Sequence, residues 1–229
     1  MVALEHAHLY PFENRVLKVF PPQSDDHFAT PLLVLHGWTG DEHSMDIFIR
    51  RLPATRWILA PRAPFPAEPG GYAWVPPTPE RPAPWEIFVQ SALKLKNDLE
   101  NWLAHLSLSK VPIDIMGFSQ GAAMALTFTI LFPEHVNRLI ILSGFLPRGG
   151  TKALRPGLLS GKPVFIAHGY EDDIVPFERA RECLEWLEIA GANIQACLDH
   201  VGHRVSANCL QAMREFLDTN TPKITSDNG

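Results

Sequence analysis

The sequence predicts an α/β fold, with a mostly parallel central sheet flanked by helices on both faces. Three observations predict it. Short apolar runs end in small or polar residues, as buried parallel strands end in loops. Segments of helical periodicity lie between those runs, so that strand and helix alternate along the chain. Finally, 229 residues, 46% of them hydrophobic and 20% charged, suit a single domain over 1–229 with a sizeable core.

In chain order, the apolar runs are 32–36, 57–60, 113–116, 138–143 and 164–168. Residues 194–198 are a weaker sixth, and 16–20 read as an antiparallel edge strand leading in. Across 86–106, Phe88, Ala92, Leu95, Leu99, Trp102 and Leu106 fall at steps of three or four, which predicts a helix with one buried face. Residues 120–132 form a second helix, stopped by Pro133, and 177–190 and 207–217 a third and fourth. Between 61 and 85 the rhythm breaks. Nine of the chain's 21 prolines fall there, around Gly70-Gly71, a density that neither a helix nor a central strand survives. A solvated linker would not carry Phe65, Tyr72, Trp74 and Trp85, so this segment is expected to rim a pocket. The polar tail 219–229 is expected to fray.

Composition removes several function classes. A net charge of -5 and a pI near 6.0 leave no basic surface for nucleic acid. No basic region with a following apolar run opens the chain, so no signal peptide is visible, and no apolar stretch is long enough to span a bilayer. Cys183, Cys197 and Cys209 are odd in number and widely spaced, which argues against a disulfide framework and for a reducing compartment. The expectation is a cytoplasmic protein acting on a small molecule, and the sequence leaves a homodimer open.

The chemistry centres on Gly117-Phe118-Ser119-Gln120-Gly121, a Gly-x-Ser-x-Gly pattern directly after the run 113–116 and at the start of the helix 120–132. Strand, sharp turn and helix form the setting that exposes a nucleophilic serine, and the flanking glycines relieve crowding at so tight a turn. Ala122, Ala123 and Ala125 keep the helix slim enough to pack closely. Serine is a poor nucleophile without a base and an orienting acid, and with this elbow the chain order is serine, acid, histidine. Of ten histidines only His200 and His203 lie late enough, and His203, on the loop after the last strand and before a helix, is favoured. His200-x-x-His203 has no third ligand with which to hold a metal. Glu171, Asp172 and Asp173, beyond the run 164–168, compete as the acid, and the residues alone do not separate them. An oxyanion needs two backbone donors. One is Gln120 N–H, and the other belongs to the loop Gly37-Trp38-Thr39-Gly40, with Trp38 first and Thr39 the alternative. His36, at a strand end before the serine, reads as structural. Trp38, Phe65, Trp74, Phe145, Leu146 and Val175 are the residues placed by their loops to line an acyl pocket.

With these motifs in order, the sequence resembles the carboxylesterase, phospholipase and acyl-protein thioesterase family of small α/β-hydrolases, from about Leu32 to Leu217. Leu35-His36-Gly37 with Gly40-Asp41 is similar to its oxyanion loop, and Gly117–Gly121 to its nucleophile motif even at Phe118 and Gln120. Leu142-Ser143-Gly144-Phe145-Leu146-Pro147 resembles its next strand and loop. His168-Gly169-x-x-Asp172-x-x-Val175-Pro176 is similar to the segment carrying its acid, which selects Asp172, and Gly202-His203 to the position of its base. The resemblance implies an α/β-hydrolase fold without a large separate cap domain. It also implies hydrolysis of carboxylic esters, acyl thioesters or lysophospholipids on Ser119, His203 and Asp172, with no cofactor and no metal. Trp38-Thr39 makes the oxyanion loop bulkier and one residue longer than usual, Ala122 stands where glycine is common, and the proline-rich segment resembles a bacterial-type variant. Two other classes compete. A non-catalytic binding protein would show a degraded triad, and a dienelactone hydrolase would carry cysteine at position 119, which is serine here.

Overall fold

The computed structural model describes residues 1–12, 15–23, 30–80, 82–108 and 112–218. The tail 219–229 lies outside them. Among the described residues, ten strands and five α-helices follow in chain order. These are β1 (His8–Phe12), β2 (Arg15–Phe20), β3 (Leu32–Leu35), α1 (Asp46–Ile49), β4 (Ile58–Pro61), β5 (Phe65–Pro66), β6 (Tyr72–Ala73), α2 (Trp85–His105), β7 (Ile113–Phe118), α3 (Gln120–Leu131), β8 (Val136–Leu142), β9 (Pro163–Gly169), α4 (Phe177–Ile189), β10 (Asn193–Asp199) and α5 (Ala207–Asp218).

Eight strands form one sheet in the order β1-β2-β4-β3-β7-β8-β9-β10. From β4 to β10 every pairing is parallel, and β2 and β1 add antiparallel at one edge. This is the expected mostly parallel α/β sheet. The strand at 16–20 is observed as Arg15–Phe20, and β1 and the two-residue hairpin β5–β6 are additions. Proline-rich chain forms that hairpin because it needs only a short edge pairing, Phe65 against Ala73 and Pro66 against Tyr72.

Central strands are largely apolar because both of their faces are covered, with Asp114 of β7 and Arg138 of β8 the buried charged exceptions. Leu33 and Leu35 of β3 face one core, with Phe88 and Leu95 of α2, most of α3, and Cys183 and Leu187 of α4. Leu32 and Val34 face the other, with Phe48 and Ile49 of α1 and Cys209, Met213 and Phe216 of α5. At the far edge, β10 is half exposed, which explains its weaker apolar signal. Helix α3 is buried almost all round, and its alanines let it lie against β7, β8 and α2.

At the amino end of β7 lies a fully buried carboxylate. Asp114 accepts from Arg56 Nη1 at 2.8 Å, Arg138 Nε at 3.1 Å and Asn137 Nδ2 at 2.8 Å. The two guanidinium groups also donate to the carbonyls of Phe216 and Leu217, so the cluster caps the carboxyl end of α5.

One sequence expectation is corrected. Cys197 on β10 and Cys209 on α5 form a disulfide, with Cα atoms 5.5 Å apart, leaving Cys183 as the buried free thiol. Wide spacing along the chain misled because the loop between β10 and α5 brings the two elements back together. The cysteine count therefore carries no argument for a reducing compartment.

Candidate active site

Ser119 occupies the one-residue gap between β7 and α3, with φ 54° and ψ -118°. A non-glycine residue there carries strain of about 1–3 kcal/mol, held in place by its surroundings. Its N–H donates to the Leu142 carbonyl of the next strand at 2.9 Å, and its carbonyl accepts from Ala122 and Ala123 of the first helical turn. The flanking glycines are required by close approach. A Cβ on Gly117 would strike the carbonyl of Gly121, and a Cβ on Gly121 the carbonyl of Leu35. Strand, turn and helix thus press together until the serine side chain has only one way to point.

The loops after β9 and β10 are fastened to each other by the backbone. Tyr170 N–H donates to the Asp199 carbonyl at 2.9 Å and Glu171 N–H to the Val201 carbonyl at 3.2 Å, carrying the β9 loop alongside the β10 loop. Asp172 turns inward and is 5% exposed. Its Oδ1 accepts from the N–H groups of Ile174 (3.0 Å) and Val175 (2.8 Å), and its Oδ2 lies 2.8 Å from His203 Nδ1. His203 Nε2 lies 3.0 Å from Ser119 Oγ. The carboxylate only accepts, so His203 Nδ1 carries the proton and Nε2 is left to accept from the serine hydroxyl. Glu171 and Asp173 remain on the surface, and so does His200, with its side chain 79% exposed beside Glu171. The structure therefore brings together Ser119, Asp172 and His203, and does not bring in their competitors.

Gly37 stands next to Ser119, since a methyl group on it would sit 3.5 Å from Ser119 Cβ. The following turn closes with Gly40 N–H on the Gly37 carbonyl, and Thr39 has φ 65°. Beneath this loop His36 is buried and uses both ring nitrogens. Nε2 accepts from Ala63 N–H at 3.0 Å, so Nδ1 must carry the proton and donate to the Gly37 carbonyl at 2.7 Å. Burial keeps this imidazole neutral by lowering its pKa.

Beside Ser119 opens a cavity of about 650 Å³, lined by Ser119, Gln120, Trp38, Phe145, Val175 and Ile174 and by much of the proline-rich segment. Of the residues expected to line an acyl pocket, Trp38, Phe145 and Val175 border this cavity, and Phe65, Trp74 and Leu146 do not. Trp74 is 2% exposed because its indole N–H donates to the His36 carbonyl at 2.7 Å, and Leu146 is 1% exposed in the core. Phe65 sits in the hairpin opposite Ala73, and Ala73 is the one that faces the cavity. The lining comes instead from small residues, Ala73, Val75, Pro76 and Ala83, together with Phe88 of α2.

Sequence reasoning missed what anchors this wall. Trp74 N–H donates to Gln120 Oε1 at 2.8 Å, Tyr72 N–H to the Gly40 carbonyl at 2.9 Å, and Arg62 binds Glu42 bidentately while reaching the Tyr72 hydroxyl. Sequence reasoning placed His168-Gly169 in the segment carrying the acid but gave His168 no role. His36-Gly37 directly follows β3 and His168-Gly169 ends β9, and both histidines are buried and bonded to neighbouring backbone. That repeated dipeptide was the available signal.

Residues 19–221 match the family described as Phospholipase/Carboxylesterase. Acyl-protein thioesterase 1 homolog 1 of Dictyostelium discoideum is 31% identical over 56% of this chain and 59% of its own length. A probable carboxylesterase of rice (Oryza sativa subsp. japonica) is 29% identical over 46% of this chain and 40% of its own. The chain thus spans only about half the length of these curated relatives. In three dimensions, the carboxylesterase of Bacillus cereus superposes with a TM-score of 0.77 at 22% identity, covering 88% of this chain and 92% of that one, a likeness of fold. On the match of the whole domain and the α/β-hydrolase fold, the chain belongs to the phospholipase/carboxylesterase family.

Proposed function

We propose that the protein is a serine hydrolase that cleaves carboxylic esters through an acyl-enzyme on Ser119, with His203 as base and Asp172 as its orienting acid. The observation that carries this reading is the continuous hydrogen-bonded series from Ser119 Oγ through His203 to Asp172, opening on an apolar cavity. His203 Nε2 takes the proton from Ser119 Oγ as the oxygen attacks the acyl carbon, and Asp172 stabilises the imidazolium that results. The developing oxyanion is received by the N–H groups of Gln120, at the amino end of α3, and of Trp38, each donor contributing about 3 kcal/mol in sites of this kind. His203 then protonates the departing oxygen, and water releases the acyl group by the reverse path. None of these steps calls for a metal or cofactor.

An acyl thioester is the alternative substrate, favoured by the thioesterase name of the Dictyostelium relative and served by the same three residues. The test is hydrolysis of p-nitrophenyl esters of increasing acyl length, with Ser119→Ala as the comparison. Turnover by the wild type that vanishes in Ser119→Ala supports the reading. Turnover that survives the substitution, or its absence from the wild type with esters and thioesters alike, overturns it.

A further inference from the structure

His168 takes no part in the mechanism above, yet it lies directly behind the acid. Its side chain is fully buried at the end of β9. Nε2 is 2.8 Å from the Val175 carbonyl and 3.5 Å from Asp172 Oδ2. Both neighbours are acceptors, so Nε2 must carry the ring proton. Nδ1 is then a bare acceptor, buried with no hydrogen-bond partner among the described residues. Burial lowers the pKa of this histidine, which keeps it in that neutral form.

The connections form a closed ring. His168 holds the carbonyl of Val175, the N–H of Val175 holds Asp172 Oδ1, and Asp172 Oδ2 faces both His203 and the His168 proton. Val175 also lines the cavity, so the residue that fixes the acid loop fixes part of the substrate wall. An imidazole with an unpaired nitrogen is a poor core residue, and a leucine would fill the space without that penalty. Its Nε2–H donor is what the site gains from it.

We propose that His168 is a positioning residue for the catalytic acid. Through Val175 and by direct approach to Oδ2, it sets the direction in which Asp172 presents its carboxylate to His203. The proposal rests on the functional reading above.

Four proteins test it: wild type, His168→Leu, which fills the space without a donor, His168→Gln, whose amide nitrogen reaches the place of Nε2, and Ser119→Ala as the blank. The measurements are kcat and KM on a p-nitrophenyl ester, thermal unfolding, and the solvent-exchange rate of the His203 Nδ1 proton by NMR. In His168→Leu, kcat should fall by about 30-fold with KM changed by less than about threefold, because misplacement acts on chemistry before binding. The His203 Nδ1 proton should exchange roughly tenfold faster, its hydrogen bond to Asp172 being loosened. His168→Gln should recover most of both. Should His168→Leu fail to fold, His168→Asn takes its place, since its shorter amide stops near Nδ1. An unchanged kcat in the donor-less variant, or an equal loss in His168→Gln, overturns the proposal. If the wild type turns over no ester, the functional reading fails by itself, and the exchange rate of the His203 proton alone decides whether His168 positions Asp172.

Discussion

Replacing Asp172 with Asn changes one atom, and the surroundings determine which way the amide turns. Asp172 Oδ1 receives two backbone N–H groups, from Ile174 at 3.0 Å and Val175 at 2.8 Å. An asparagine that set its NH₂ against those donors would leave both unsatisfied in a buried place, at about 2–6 kcal/mol in total. Its oxygen therefore takes that side, and its nitrogen faces His203 Nδ1. That nitrogen can only donate, so His203 Nδ1 must accept, and the ring proton moves to Nε2. Nε2–H then points at Ser119 Oγ, where a lone pair is needed to take the hydroxyl proton. The triad keeps its shape and loses its base. The expected fall in kcat is about 10⁴-fold, equivalent to ~5.5 kcal/mol of transition-state stabilisation. The assay is kcat/KM on a p-nitrophenyl ester, with unfolding curves to show that the fold is intact. If Asp172→Asn retained more than about a tenth of wild-type activity, the tautomer argument would be refuted.

Three further outcomes follow from other parts of the molecule. His36 and His168 are both buried and neutral, with folded pKa values below the usual 6.5. As pH falls through the unfolded value, the unfolded chain takes up protons that the folded chain refuses, so stability is lost on acidification, by at most ~1.4 kcal/mol per pH unit for each histidine. Urea unfolding at about pH 7.5 and about pH 5 checks this, and equal midpoints would contradict it. Burial pushes the Cys183 thiol up to about 12, and Cys197 is joined to Cys209. A thiol reagent should therefore find no fast-reacting group in the native protein, one after denaturation and three after reduction, whereas two or three without reductant would disprove the disulfide. Asp114→Ala leaves Arg56 and Arg138 buried without their carboxylate and should cost about 3–5 kcal/mol of stability. Because Asp114 lies at the opposite end of β7 from Ser119, kcat in the folded fraction should be unchanged, and a parallel loss of kcat would show that the two ends are coupled.

The sheet was legible in the sequence because its central strands are covered on both faces. The apolar runs at β3 and β9 and in the second halves of β7 and β8 leave no other place for those residues, and the buried charges that interrupt β7 and β8, Asp114 and Arg138, satisfy each other. The elbow around Ser119 was legible for a different reason: steric demand restricts residue type at Gly117 and Gly121, so the geometry is written into five consecutive positions. The proposed acid and base were less so. Asp172 differs from Asp173 only in which way the loop turns, and that direction comes from backbone bonds between two loops far apart in sequence. The lining of the cavity is harder to read. Large aromatic residues in a loop suggest pocket wall, but an aromatic with an N–H to satisfy, such as Trp74, is drawn into the core where a carbonyl awaits it. Alanine and proline, which sequence reasoning passes over, were free to border open space. The disulfide was illegible because pairing depends on where β10 and α5 meet, not on the count of cysteines.

The division between chemistry and selection is visible in how the two halves of the site are held. Ser119, Asp172 and His203 come from the carboxyl ends of β7, β9 and β10, three strands of one rigid sheet. Much of the cavity wall comes from one irregular segment that contributes nothing to the triad. That segment is nevertheless tied to the elbow itself, by Trp74 on the Gln120 side chain, and to the oxyanion loop, by Tyr72 on Gly40 and Trp74 on His36. In the mechanism proposed above Gln120 serves both halves, its N–H receiving the oxyanion while its side chain accepts from Trp74 N–H. A wall fastened at those points keeps its shape before substrate arrives, so less ordering is required on binding. Displacement of the wall would therefore reach Ser119 from two sides, through Gln120 and through the loop 36–40 beside it, so the proposed site and its proline-rich wall should respond to substitution together.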